Sequence, residues 1–133
     1  MIVVDANILV YLIIHGDMTE AALRARAKDP DWKTSPLWEY EFGNALTLMT
    51  LQKHITITKA VEYLQLAKTH FAPYETQGDP ELALQIAAGK KISFYDAQYL
   101  TLARMLGVPL VTEDKALRKA AGDWAISLKE FIN

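Results

Sequence analysis

The sequence predicts an α/β fold, a parallel sheet covered by helices, in one domain spanning residues 1–133. Three observations carry that expectation. Short apolar runs alternate with longer amphipathic stretches. Ile2 to Asp5 shows no polar alternation, which suits a strand buried on both faces. Several of the intervening stretches open on a capping side chain or a proline, the usual start of a helix. The length supports a single core and is too short for two.

The elements follow in order. Residues 2–5 form the first strand, and a helix over 6–14 is broken by Gly16. Asp17, with Glu20 in the reciprocal position, caps a second helix that Pro30 stops. Residues 32–34 suit a short second strand. Ser35-Pro36 starts a helix that runs to about Gln52, and Thr58 opens another that runs to about His70. Residues 71–75 read as an extended segment or strand. Asp79-Pro80 repeats the cap-and-proline signal for a helix ending near Gly89. Ser93 and Asp96 outline a capping box for a helix over 94–106, terminated by Gly107. Residues 109–112 form a strand, 115–121 a short helix and 124–128 the closing strand. No repeat or low-complexity segment interrupts the pattern.

Bulk composition narrows the chemistry. The absence of cysteine excludes a disulfide framework, a thiolate metal site and a cysteine nucleophile. The apolar run 8–14 is far short of the ~20 residues of a membrane span. With no basic N-terminal cluster, a secretory signal is not expected, and a cytoplasmic setting is. A net charge of −2 looks unfavourable for nucleic acid. If four acids serve as metal ligands, however, the remaining acids are outnumbered by the 14 basic residues. Global charge therefore excludes nothing.

Four acids stand out. Asp5 ends the first strand, Asp114 follows the 109–112 strand, and Asp96 opens a helix, so three strand-to-helix crests each carry an aspartate. Such crests share the carboxyl edge of a parallel sheet, where α/β proteins keep their ligand sites. Asp5 and Asp114 taken alone are explained equally well as helix caps, and Asp96 more readily still as a capping-box and first-turn charge. Glu41 lies inside a helix, beside its apolar stripe and without a lysine or arginine one turn away, whereas Glu39 faces outward. Like charges about 4 Å apart cost on the order of 4 kcal/mol per pair at an effective dielectric near 20. A convergent group therefore calls for a cation, and an all-oxygen donor set suits Mg2+ or Mn2+ better than zinc. His15, His54 and His70 have no metal-ligand spacing and read as surface or packing residues. Asn7 and Thr112 each stand two residues from a crest acid, placed either to orient it or simply to satisfy a helix turn and a strand end. Phosphate-loop, dinucleotide and nucleophile-elbow motifs are absent.

Taken together, Val3-Val4-Asp5-Ala6-Asn7, Glu41-x-x-Asn44-Ala45-Leu46, Ser93-x-Tyr95-Asp96-Ala97 and Leu110-Val111-Thr112-x-Asp114 resemble the PIN domain family, and within it the short VapC-type toxins. The likeness spans essentially the whole chain. It implies a three-layer α/β/α sandwich around a four- to five-stranded parallel sheet and a Mg2+- or Mn2+-dependent endoribonuclease. Asp5, Glu41, Asp96 and Asp114 match the acidic quartet, with Asp5 and Asp96 the first choices as direct ligands and Asn7 and Thr112 in supporting positions. Glu113 is the other acid at the Asp114 crest. The resemblance also implies a homodimer and a cognate antitoxin covering the acidic pocket. Lys90, Lys91, Arg118 and Lys119 flank the crests, either touching an RNA backbone or acting as plain solvated charges.

Rival chemistries fit less well. An aspartyl-phosphate phosphatase of the haloacid dehalogenase type wants a second acid where Asn7 stands, and a response-regulator receiver wants adjacent acids after strand one. A non-catalytic interaction module whose acids are only helix caps is the rival from another class.

Overall fold

A computed structural model describes residues 1–133. In chain order the elements are β1 (Ile2–Val4), α1 (Ala6–Ile13), α2 (Thr19–Lys28), β2 (Trp32–Lys33), α3 (Trp38–Leu51), α4 (Ile57–Phe71), α5 (Pro80–Lys90), α6 (Phe94–Leu106), β3 (Leu110–Val111), α7 (Lys115–Ala121), β4 (Ala125–Ile126) and α8 (Leu128–Ile132). The four strands lie in the order β2-β1-β3-β4, all parallel. Parallel neighbours need crossover connections, and the helices supply them.

Successive strand residues point to opposite faces, and both faces are buried. Ile2, Val4 and Val111 join a core with Ile8 and Leu9 of α1, Trp38 and Phe42 of α3, and Phe71 of α4. Val3, Leu110 and Ala125 join a second core with Leu100 and Leu102 of α6 and Leu117 of α7. The three-layer α/β/α sandwich implied by the resemblance is present, with four strands. No helix is long and apolar enough to cross a membrane.

Several boundaries differ from the sequence expectation, each for a local reason. Asp17 does not cap α2. The Thr19 hydroxyl takes over that turn, accepting from Gly16 N at 2.9 Å and donating to the Tyr11 carbonyl at 2.7 Å. Ser35-Pro36 forms a turn closed by Trp38 N on the Ser35 carbonyl, so α3 begins two residues beyond the proline. Thr56, rather than Thr58, caps α4 through Lys59 N at 3.1 Å. Residues 71–75 are mostly not extended: α4 runs through Phe71 and Ala72–Tyr74 make a tight 3-10 turn containing Pro73. Only Glu75 reaches the sheet, in a single parallel bridge to Thr34. Helix α5 passes Gly89 and ends at Lys91, which takes the left-handed conformation at φ 57°. The closing strand shortens to two residues because Ser127 caps a further helix, α8.

Candidate active site

The register of β1 and β3 sets up the site. Val4 pairs with Val111, so the next residues along, Asp5 and Thr112, emerge side by side at the carboxyl edge. The Thr112 hydroxyl donates to Asp5 Oδ2 and accepts from Asp114 N at 3.1 Å, joining the two crests. Asp5 is only 7% exposed. Its other oxygen accepts from Ile8 N at 3.3 Å, so it also caps α1, and Asp114 caps α7 through Leu117 N at 2.9 Å. Capping and convergence coexist at these two positions.

Glu41 arrives from α3. Trp38, one turn earlier, fixes that helix: its ring meets Phe42 and Phe71 edge-on, and Nε1 donates to Glu75 Oε1 at 2.8 Å. With Trp38, Phe42 and Leu46 turned into the core, Glu41 falls on the flank facing the sheet edge. Glu39 points away and pairs with Lys68 at 3.1 Å.

Asp96 comes from a different place than the sequence suggested. It follows no strand: α5 ends, Lys91 reverses the chain, and α6 begins with Ser93 as cap. Ser93 Oγ accepts from Asp96 N at 3.0 Å. The Asp96 carboxylate reaches no helix amide and lines a cleft of about 600 Å³ with Asn7, Glu41 and Asn44. Two crest acids and two helix-borne acids therefore meet, rather than three crests and one helix.

The four charges act on one another around a ring: Asp5 with Glu41, Glu41 with Asp96, Asp96 with Asp114, and Asp114 with Asp5. Burial, the largest cause, pushes the Asp5 carboxyl up to about 6, against the Thr112 hydroxyl and Ile8 amide and with help from the Glu41 and Asp114 charges. Burial likewise raises Glu41, opposed by the Tyr99 hydroxyl and reinforced by Asp96. It raises Asp96 as well, with the Asp114 charge adding to it. No lysine or arginine pairs with any of the four; the ion pairs of the chain use Asp29, Asp31, Glu39, Glu62 and Glu113.

Tyr99 was not expected here. It lies one turn beyond Asp96 on α6, fully buried, and its hydroxyl donates to Glu41 Oε1. Burial, together with the neighbouring Glu41 carboxylate, holds that phenol above its ordinary range, so it stays a donor. The available signal was a tyrosine rather than a phenylalanine at i+3 from an acid, a spacing that shares one helix face.

The remaining candidates divide. Asn7 is exposed and faces the cleft. Glu113 turns to α8, accepting from Leu128 N at 2.7 Å, which leaves Asp114 as the acid of that crest in the ring. Arg118 donates to the Thr112 carbonyl at 3.2 Å and lies 3.8 Å from Glu113, so it braces the crest from behind. Lys90, Lys91 and Lys119 are exposed, and none lines the cleft. Lys90 lines a separate groove with Arg104.

No three of the acids and histidines are placed to hold one ion together. The donor set still fits a hard divalent cation: every candidate ligand is oxygen, one carboxylate is buried, and no cation compensates the group.

A parallel α/β/α sandwich with acids beyond the carboxyl edge of its central strands belongs to the open-sheet α/β class, which keeps its ligand sites at that edge. The chain belongs to the PIN domain family, whose model matches residues 2–123. It is similar in structure to PAE2754 from Pyrobaculum aerophilum, known from its crystal structure, at 26% sequence identity and a TM-score of 0.76. That similarity covers 98% of this chain and 92% of the other. No curated protein matches the chain. PIN domains are generally metal-dependent nucleases and typically use divalent ions.

Proposed function

We propose that this chain is a Mg2+- or Mn2+-dependent endoribonuclease that works in the cytoplasm as the toxin of a toxin–antitoxin pair. The observation that carries the reading is the ring of Asp5, Glu41, Asp96 and Asp114, uncompensated by any cation, beside an open cleft. A divalent ion held there would supply polarisation of the scissile phosphate and a lower pKa for the attacking water. The residues divide the rest of the work. Asp5 and Asp96 would hold the ion, and Glu41 and Asp114 would complete its surroundings, in part through water. Thr112 fixes the Asp5 carboxylate and the Asp114 backbone together, and Tyr99 fixes Glu41. Asn7, which lines the cleft, would contact the substrate. Water adds to phosphorus as one P–O bond of the chain breaks, leaving a phosphate end and a hydroxyl end. A groove between α3 and α4, bordered by the exposed Leu51, Ile57 and Val61, offers apolar surface for a second copy or an antitoxin.

One rival keeps a specific observation in its favour: Asp5 and Asp114 do cap helices. Asp96 separates the readings because its carboxylate caps nothing. Melting temperatures are measured for wild type and Asp96→Asn, each chelator-treated and then with millimolar Mn2+. A ligand that binds only the folded state stabilises it by RT ln(1 + [L]/Kd). The expected result is a rise in wild type that the variant loses, with the metal-free variant at least as stable as wild type, because a like charge has left the ring. Cleavage of a mixed RNA pool by Mn2+-loaded wild type, and not by the variant, completes the test. An unresponsive wild type, or a metal-free variant that simply melts earlier, overturns the reading.

A further inference from the structure

The acidic cleft does not end at its acids. Leu37, Tyr40 and Tyr95 border it and also line a second groove, which Phe94, Gln77 and Gln98 complete. The two grooves are therefore continuous across one shared rim. Three aromatic side chains stand exposed there, Tyr40 by 77%, Tyr95 by 62% and Phe94 by 43%. They come from two elements: Tyr40 from the first turn of α3, and Phe94 and Tyr95 from the first turn of α6. Those same turns carry Glu41 and Asp96. Neither groove is lined by a lysine or arginine.

That combination selects an occupant. A surface that follows a phosphate backbone needs cations, and this one has none. A duplex keeps its bases stacked inside and offers little to an exposed ring. Aromatic faces beside a cleavage centre suit bases that are already unpaired, since every base has a face to stack. Gln98 donates to the Phe94 carbonyl at 2.9 Å, which orients its amide, and Gln77 brings a second amide into the groove for base edges. The exposed aliphatic surface of α3 and α4 offers no such chemistry.

Resting on the ribonuclease reading above, we propose that Tyr40, Phe94 and Tyr95 form a stacking subsite that holds unpaired bases of single-stranded RNA next to the acids. The subsite accounts for substrate binding in a chain of net negative charge: affinity comes from base faces, with the phosphate left to the divalent ion. It makes single-strandedness, more than charge, the first requirement of a substrate.

The test uses an unpaired oligoribonucleotide of about 10 nucleotides carrying 2-aminopurine, whose fluorescence falls when it stacks. Chelator-treated full-length protein is titrated so that binding is read without cleavage. Wild type quenches the probe, while Tyr40→Ala and Tyr95→Ala each bind it about tenfold more weakly and lose the quench. Leu84→Ala, which removes an apolar side chain of similar exposure on α5, behaves as wild type. Equal affinity for the same sequence as a duplex, or variants that bind and quench like wild type, overturns the subsite. So does a change in oligomeric state on size exclusion of the two tyrosine variants, because the ledge is then a contact between copies. The ribonuclease reading fails separately: Mn2+-loaded wild type would bind the probe, quench it and leave it uncut.

Discussion

Tyr99 and Glu41 illustrate how a single hydroxyl positions a reactive group. The phenol ring is sealed in the core while its oxygen reaches the half-buried carboxylate, tying α6 to α3 at the height of the site. Tyr99→Phe keeps the ring and deletes the donor, leaving Glu41 without a hydrogen-bond partner in a setting that disfavours its charge. Because Glu41 is only half-buried, the loss stays near the net worth of one hydrogen bond, about 0.5–1.5 kcal/mol. We expect a small fall in melting temperature and a clearly smaller Mn2+-induced rise than in wild type. In a Glu41→Gln background the tyrosine substitution should cost much less, a coupling that a double-mutant cycle reads directly. Additive effects would mean that Tyr99 serves only packing. The four acids were legible in the sequence because each has a telling local context, a strand end or a helix flank. Tyr99 was not, since an aromatic residue at helical spacing looks like core until the opposite helix is in place.

The turn between α5 and α6 decides where Asp96 points. Lys91 adopts φ 57° to reverse the chain, a conformation that costs a non-glycine residue about 1–2 kcal/mol. Helices commonly end on glycine at this position. Lys91→Gly should raise the urea midpoint, by an amount equivalent to about 1 kcal/mol at most, with the slope unchanged. A fall in the midpoint would show that the Lys91 side chain contributes more than its backbone costs. The sequence placed the stop at Gly89, two residues early, because glycine is the stronger signal when no backbone is visible. The opposite error occurred at the C-terminus. Ser127-x-x-Glu130 is a capping box, with Ser127 Oγ bonded to both Glu130 N and its carboxylate at 3.1 Å. Its position at the end of an apolar run gives it the pattern of a strand and masks α8. Asp79-Pro80 and Ser93, by contrast, start their helices where the sequence put them.

Across the whole molecule, protons and divalent ions compete for the same ring of carboxylates. Asp5 has a carboxyl raised from 3.8 to about 6, so the folded chain holds its proton over a pH range in which the unfolded chain has released it. Stability in the absence of metal therefore falls as pH rises from about 4 through about 6, and levels off above that. Glu41 and Asp96 shift in the same direction and add to the trend. For Asp5 the two units correspond to a penalty on the order of 3 kcal/mol at neutral pH. A bound cation would offset that penalty by compensating the buried charge. Chelator-treated protein should melt higher at pH 5 than at pH 7, and Asp5→Asn should reduce the difference. The rise caused by Mn2+ should be larger at pH 7.5 than at pH 5.5, because ligation needs deprotonated carboxylates. A metal response independent of pH would argue that the ion binds elsewhere.

What the sequence determined by itself is what local chemistry controls: apolar runs that must be strands, capped helices between them, and acids whose positions suit neither core nor plain solvent. These are read over a few residues, where backbone preference and hydrophobic period act directly. The tertiary structure alone decided which acids meet. The parallel register of β1 and β3 set Asp5 beside Thr112, and packing of α3 and α6 over the sheet edge brought Glu41, Asp96 and Tyr99 to them. The same packing drew Glu113 away to α8, left Lys90 in another groove and placed no three of the acids around one ion. Distances between residues far apart in the chain are fixed by how layers pack, and no local pattern encodes them.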